Sequence, residues 1–255
     1  MCGRYTLFAS AADLEARFDA DFGAHEPSYN CAPGQDLPVI TDEDPSAATR
    51  MKWGLTPAWA DESFDLINAR AETVREKRSF ADAFERRRCL VPADGFYEWV
   101  DGGGPDGDRP GGDASRGGTD KTPYRVAFED DRPFAMAGLY ERWEPPEPET
   151  TQTGLGSFGG GGAGDSVEGE TDDGPVETFT IVTTEPNDLV ADLHHRMAVV
   201  LAPDEEETWL RGGLDEAAAL LDPYPDDELT AYPVSTRVNS PAVDGPELVE
   251  PVGGD

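Results

Sequence analysis

Basic residues are scarce in this chain. Its 20 Lys and Arg stand against 53 Asp and Glu, a formal net charge of −33 over 255 residues. Such an acid excess argues against an ordinary nucleic-acid binder. It suits a protein adapted to very high salt, where the Debye length falls below about 3 Å and self-repulsion is screened. The acids are spread along the chain instead of forming one tail, which favours that halophilic reading. Long apolar runs are also missing, so no segment is expected to span a bilayer. The N-terminal stretch is polar and charged, unlike a signal peptide, and a cytoplasmic location is expected. The three cysteines, Cys2, Cys31 and Cys89, have the spacing of neither a zinc motif nor a disulfide framework.

What is present is enough for a core. Hydrophobic content is only 37%, but there are 11 Phe, 7 Tyr and 5 Trp. Strands are expected at 37–41, 89–91, 95–100, 124–128, 134–140, 178–184, 197–201 and about 229–234. Ser10-Ala11-Ala12-Asp13 before Leu14 and Phe18 reads as a capped helix start. Further helices are expected at 80–87 capped by Ser79, at 187–193, at 204–210 and at 215–221. Strands dominate and do not alternate regularly with helices, which favours an α+β fold with mainly antiparallel sheets. The stretches at about 101–120 and 145–175 are rich in Gly, Asp, Glu and Pro and nearly devoid of apolar residues. They cannot bury enough surface to offset ordering entropy, and are expected as surface insertions within one domain over 1–252.

Chemistry concentrates in a few clusters. In Met1-Cys2-Gly3-Arg4, removal of Met1 would leave an amine and a thiol on adjacent carbons. The amine condenses with an aldehyde and the thiol closes onto the imine, forming a thiazolidine. A free α-amine titrates at roughly 7.7–8.0, so part of it is nucleophilic near neutrality. Next come Tyr29-Asn30-Cys31-Ala32-Pro33-Gly34, then Trp53-Gly54-Leu55 through Trp59 to Ile67-Asn68-Ala69-Arg70-Ala71-Glu72-Thr73. Last are Asp94-Gly95-Phe96-Tyr97-Glu98-Trp99 and Leu193-His194-His195-Arg196-Met197. Strand alternation puts Glu98 on a face with Phe96 and Val100. That face is either solvated, the commoner case, or buried with a purpose. Nine of the 20 bases lie between Arg50 and Arg88, a local basic strip in an acidic chain. Arg86-Arg87-Arg88 reads mainly as a solvated helix end that favours the macrodipole.

Taken in this order, the clusters resemble the SRAP family, the SOS-response-associated peptidase-like proteins that covalently trap abasic sites in single-stranded DNA. The resemblance covers the chain apart from the two low-complexity stretches, and Pro233-Val234-Ser235-Thr236-Arg237-Val238-Asn239 looks like the family's closing segment. It implies a single domain of antiparallel sheets curled into an open, barrel-like core with flanking helices. It implies catalytic roles for Cys2, Asn68, Glu98 and His194: nucleophile, holder of sugar and nucleophile, proton shuttle, and donor to the sugar ring oxygen. His195 is then a flanking residue. Phosphates would be gripped by Arg4, Arg70, Arg78 and Arg196, with Asn30, Pro33, Trp53, Gly54, Trp59 and Thr183 completing the DNA site. Trp53 and Trp59 are expected to stack on bases. The implied partner is single-stranded DNA containing abasic sites, with the replication machinery as a further contact, and the implied state is a monomer. No metal or cofactor is implied. Weak AP lyase and self-processing peptidase activities would accompany the trapping.

Two other classes remain open on residues alone. An N-terminal-nucleophile amidotransferase or peptidase would also expose a Cys2-Gly3 start, using its thiol on an amide. A non-catalytic binder of modified single-stranded DNA would keep the basic strip and be indifferent to Cys2.

Overall fold

Residues 2–101, 121–146 and 174–253 are described by a computed structural model. Among them thirteen strands run in chain order. These are β1 (Tyr5–Leu7), β2 (Ser28–Cys31), β3 (Asp36–Thr41), β4 (Ala48–Trp53), β5 (Asn68–Arg70), β6 (Arg88–Ala93) and β7 (Gly95–Asp101). Then follow β8 (Lys121–Phe128), β9 (Phe134–Trp143), β10 (Val176–Thr184), β11 (Met197–Ala198), β12 (Val200–Leu201) and β13 (Leu229–Pro233). Five short helices flank them: α1 (Ala11–Phe18), α2 (Ala81–Arg86), α3 (Asp188–Ala191), α4 (Glu206–Arg211) and α5 (Leu214–Ala218). The fold is α+β, as the sequence suggested.

One sheet has the order β13-β8-β7-β1-β2. The other has the path β11-β10-β4-β3-β6-β9-β12, with β5 added on β10. Because β9 also pairs with β10, strands β10, β4, β3, β6 and β9 return on themselves in a ring. Pairing is antiparallel except where β10 runs parallel to β4 and β5. The ring's interior explains the sequence of β9. Phe134 through Tyr140 are all buried, so the strand is a continuous apolar run with no polar alternation. Gly138 belongs there because a Cβ would meet Val91 Cγ2 at 2.7 Å and Cys89 Sγ at 2.8 Å. Cys89 is buried against it, an ordinary core cysteine.

Local signals decide some elements and packing decides others. Ser10 does cap α1, its side chain accepting from the Asp13 amide, and Leu14 is buried below. Ser79 does not cap α2: Phe80 occupies the cap position with no side-chain bond. The helix forms because Ala83 and Phe84 are buried on it, an instance of packing outweighing capping. The strand expected at 197–201 divides, β11 pairing with β10 and β12 with β9. Arg86 stays on the surface, but Arg88 is buried and donates to the carbonyls of Phe84, Trp209, Leu210 and Gly212. The solvated reading of that triplet therefore fails for Arg88. Residues 102–120 and 147–173, which hold most of the two acidic Gly-rich stretches, lie outside the described residues. The strands on either side of each are paired neighbours, β7 with β8 and β9 with β10.

One feature of the first sheet positions the site. Arg125, 1% exposed, lies under Gly95 and holds Asp131 Oδ1 and the Tyr232 hydroxyl, both at 2.7 Å. A Cβ on Gly95 would sit 2.7 Å from Arg125 Nε. Gly95→Ala should therefore cost about 1–3 kcal/mol as overpacking, readable as a lowered thermal midpoint. A midpoint unchanged within error would show that the guanidinium can move aside.

Candidate active site

Strand pairing brings the N-terminus to Glu98. Tyr5 lies opposite Phe96 and Thr6 opposite Gly95, and the Tyr97 amide donates to the Arg4 carbonyl at 3.0 Å. Followed antiparallel from there, the residues before Arg4 run alongside Glu98. Where β1 ends, the buried Asp94 carboxylate accepts the Phe8 and Ala9 amides at 2.5 and 3.0 Å, while its own amide donates to the Thr6 carbonyl at 2.9 Å. These bonds pin a three-residue strand whose slippage by one position would turn every side chain to the opposite face.

Asn68 arrives from the other sheet. It opens β5, which lies parallel to β10 with Asn68 opposite Ile181. Its Nδ2 donates to the Cys2 carbonyl at 2.9 Å. His194 follows α3, whose first turn is capped by Asn187 Oδ1 accepting the Val190 amide at 2.9 Å. The His194 amide donates to the Val190 carbonyl at 2.8 Å. The ring's Nδ1 is 3.1 Å from the Arg196 amide and 3.8 Å from Glu98 Oε2. Nδ1 is equally 3.1 Å from the Arg196 carbonyl, so it accepts from the amide or donates to the carbonyl according to the tautomer. Cys2, Asn68, Glu98 and His194, far apart in sequence, thus form one cluster. The His195 ring lies tilted against His194 with centroids 4.2 Å apart but is exposed.

Cys2 and Glu98 are buried while Asn68 and His194 stay partly exposed, and the protonation of the cluster follows from that. Glu98 is 2% exposed, and burial raises its carboxyl to about 7. A carboxyl so poised can both accept and return a proton near neutrality. Burial and the neighbouring Glu98 raise the Cys2 thiol far above its usual range, so it rests as the neutral thiol. Burial also lowers His194. Glu98 is therefore buried with apolar neighbours, and the solvated-face reading is overturned.

The residues assigned to DNA divide into two groups. Pro33, Arg70, Arg78 and Trp59 are exposed, and Arg4 is partly so. The Arg78 guanidinium lies 4.0 Å above the Trp59 ring. Trp53 is a correction. It is fully buried, stacked on Phe179 with centroids 6.2 Å apart, and its Nε1 donates to the Ile67 carbonyl at 2.9 Å. A ring this large contributes more to the core than it could on a strand-binding surface. Asn30, Gly54 and Thr183 are likewise buried and support the surface from behind. Asn30 Oδ1 accepts from Arg4 at 2.8 Å, and its Nδ2 is spent on the carbonyls of Val238, Ser240 and Val243. The closing segment is thereby tied to Arg4.

Charge is distributed selectively. Among the described residues most arginines hold carboxylates: Arg17, Arg75, Arg86, Arg87, Arg125, Arg132, Arg142, Arg196 and Arg237. Among the described residues Arg4, Arg70 and Arg78 form no ion pair with a carboxylate; nor do Arg50 and Arg88, which donate to backbone carbonyls, or Arg211, and Arg70 acts on Glu72 at longer range. Arg4 bonds only the neutral Asn30 Oδ1 and Val238 carbonyl. In so acidic a chain, cations left without acids beside the cluster can attract an anionic ligand. Sequence reasoning assigned no role to Asp94, Arg125 or Glu72. Asp94 stood next to the Gly95 motif, but nothing local indicated that its partners were the amides at the end of β1. A concavity of about 630 Å³ lined by His25, Cys31, Gln35 and Arg50 contains none of the four clustered residues. Among the described residues no group of three or more His, Cys, Asp or Glu could hold a metal ion, and no helix is long and apolar enough to cross a membrane.

A strand-rich α+β fold that gathers Cys2, an asparagine, a histidine and a buried glutamate into one cluster defines a recognisable class. The family description "SOS response associated peptidase (SRAP)" matches residues 1–241, and the chain belongs to that family. It is 37% identical to the abasic site processing protein YoqW of Bacillus subtilis, over 98% of this chain and 99% of that protein. It is 31% identical to the abasic site processing protein HMCES of Gallus gallus, over 90% of this chain and 68% of that protein. The crystal structure of a Bacteroides thetaiotaomicron protein superposes with a TM-score of 0.74 at 26% identity, covering 98% of this chain and 100% of that one.

Proposed function

We infer that this protein processes abasic sites in DNA, and that it does so by capturing the sugar aldehyde on Cys2 after Met1 is removed. The observation that carries the reading is the convergence of Cys2, Asn68, Glu98 and His194. The single strand would lie along Pro33, Trp59, Arg4, Arg70 and Arg78, in one domain spanning 1–252. His194 passes a proton to the ring oxygen of the closed sugar and receives the one given up by the C1′ hydroxyl, so the ring opens to the aldehyde with no net change in protons. The Cys2 amine adds to C1′, and Glu98 takes a proton from the nitrogen and returns one to the departing hydroxyl, giving water and a Schiff base. The thiol then adds to the imine carbon and its proton passes to the nitrogen, closing the thiazolidine. One aldehyde and one aminothiol thus become one ring and one water. Holding the groups together makes closure unimolecular, worth roughly 7–11 kcal/mol in favourable cases. The same Schiff base permits β-elimination, hence a weak lyase side activity. Peptidase action would extend to self-processing of a residue before Cys2.

The raised Cys2 thiol favours this reading over an amide hydrolase, which works through a thiolate. Aldehyde capture starts from the amine and needs the thiol only after the imine has formed. Intact mass after incubation with an abasic oligonucleotide tests the proposal. The expected product has lost Met1 and gained the strand less one water. No mass gain, together with hydrolysis of glutamine, would favour the amidotransferase.

The acid excess bears on conditions. With three carboxylate-free arginines on phosphates, reversible affinity for intact single strands should fall about a hundredfold between 0.1 and 1 M salt. The covalent yield on abasic strands should persist, because an irreversible step accumulates product from rare encounters. Loss of yield in parallel with affinity would count against adaptation to high salt.

A further inference from the structure

Arg196 differs from the other three arginines of the groove. Both its terminal nitrogens meet the two carboxylate oxygens of Glu72, the Nη2 to Oε2 pair at 3.0 Å. This fork-to-fork geometry is also the one by which arginine holds a phosphate. The two partners are not equally held. The Arg196 side chain is 11% exposed and that of Glu72 is 55% exposed. Arg196 is fixed from behind, Nη2 donating to the Thr183 carbonyl at 2.5 Å, with Thr183 Oγ1 at 3.4 Å. Thr183 is itself buried in β10 and also accepts the Ala71 amide at 2.9 Å. Glu72 is held more lightly, by its own backbone and the nearby charge of Arg70, and is much the more exposed of the two, so if the pair opens it is Glu72 that swings into solvent. Arg196 holds its carboxyl below the usual range, so it is ionised at neutral pH.

We propose that Glu72 is an affinity-setting residue that occupies the phosphate position of Arg196 in the DNA-free protein, so that a strand must displace it before the fourth cation of the groove is engaged. The proposal rests on the reading of this groove as a single-strand site. The displacement is open to a strand because the Glu72 side of the pair faces solvent and a phosphate can replace its carboxylate in the same two-point geometry, and it carries a definite signature. With Glu72 in place, the Arg196 pair presents no net charge to the strand. Without the carboxylate it presents a full positive charge.

The test uses the full chain and an intact single-stranded oligonucleotide lacking abasic sites, with affinity measured across salt concentrations. Glu72→Gln should bind about three- to tenfold more tightly at 0.1 M salt. Its plot of log affinity against log salt should steepen by up to about 0.7, one further neutralised phosphate on a single strand. Glu72→Ala should act in the same direction, which guards against a new contact from the glutamine. Arg196→Gln should cost more in the Glu72→Gln background than alone, a non-additivity expected of directly coupled groups. Unchanged or weaker binding by both Glu72 variants overturns the proposal. Slower trapping at saturating abasic DNA together with unimproved affinity would make Glu72 a brace for the His194 loop instead. Failure of the unmodified protein to trap abasic DNA would reject the functional reading separately, leaving the affinity comparison to be judged by itself.

Discussion

Cys2→Ala should abolish the stable crosslink to abasic single-stranded DNA, lowering its yield at least about a thousandfold given the scale of intramolecular ring closure. The variant keeps an N-terminal amine once Met1 is trimmed, so the first half of the chemistry survives. Borohydride should therefore still trap a Schiff base, and strand cleavage by β-elimination should rise, because the imine is no longer drained into the ring. The substitution removes one sulfur from a buried position, a small loss of packing, so folding should be retained. Gel analysis with and without borohydride separates the possibilities. An undiminished crosslink without reductant would rule out the thiazolidine. Loss of both the stable and the trappable adducts would point to a damaged site, and a circular dichroism melt would expose it.

Glu98→Gln is the second large effect, and it should divide activity from stability. The carboxylate is needed to take the proton from the attacking amine. Crosslinking should thus rise with pH through about 7, where burial places the Glu98 titration. The glutamine variant should lose that rise and react about 10² to 10⁴ times more slowly, keeping only the titration of the amine near about 8. Stability should move the other way. The folded carboxyl titrates near 7, raised from an ordinary 4.5. Between those values the folded state holds the proton and the unfolded state does not, so stability falls as pH rises across that window. Above it the ionised, buried carboxylate costs on the order of 3 kcal/mol. At pH 8 Glu98→Gln should accordingly melt higher than the unmodified protein, and at pH 4 the two should nearly coincide. A variant that is less stable at pH 8 would mean that the carboxylate is stabilised in place by partners that offset its burial.

The long strands and α1 were legible because their signals are local. β9 opens with a seven-residue apolar run, β10 is rich in β-branched and aromatic residues, and Ser10 carries its capping bond within three residues. The strands that assemble the site were not legible. β1 and β5 are three residues each, too short for period-two alternation to register. They exist because β7 and β10 offer them ladders from distant parts of the chain. The four reactive residues were found through motif order, and nothing local to Glu98 distinguished a solvated carboxylate from a buried one. Trp53 shows the reverse error: a tryptophan beside a basic strip suggested stacking on bases, and the fold spent it on the core between Tyr5 and Phe179.

The sequence by itself determined which chemical groups are available: an amine and thiol one residue behind the initiator, a carboxyl, an imidazole, and too few bases to bind phosphate except in one place. Only the tertiary structure decided what those groups are. Burial comes from packing between sheets, and burial is what raises the Glu98 carboxyl to about 7 and keeps the Cys2 thiol protonated. Proximity comes from register, pinned by Asp94 at the end of β1 and by Asn68 on the Cys2 carbonyl. The same holds for charge. That Arg196 is paired to Glu72 while Arg4, Arg70 and Arg78 form no ion pair among the described residues is a matter of which carboxylates the fold brings within reach, and no count of residues along the chain contains it.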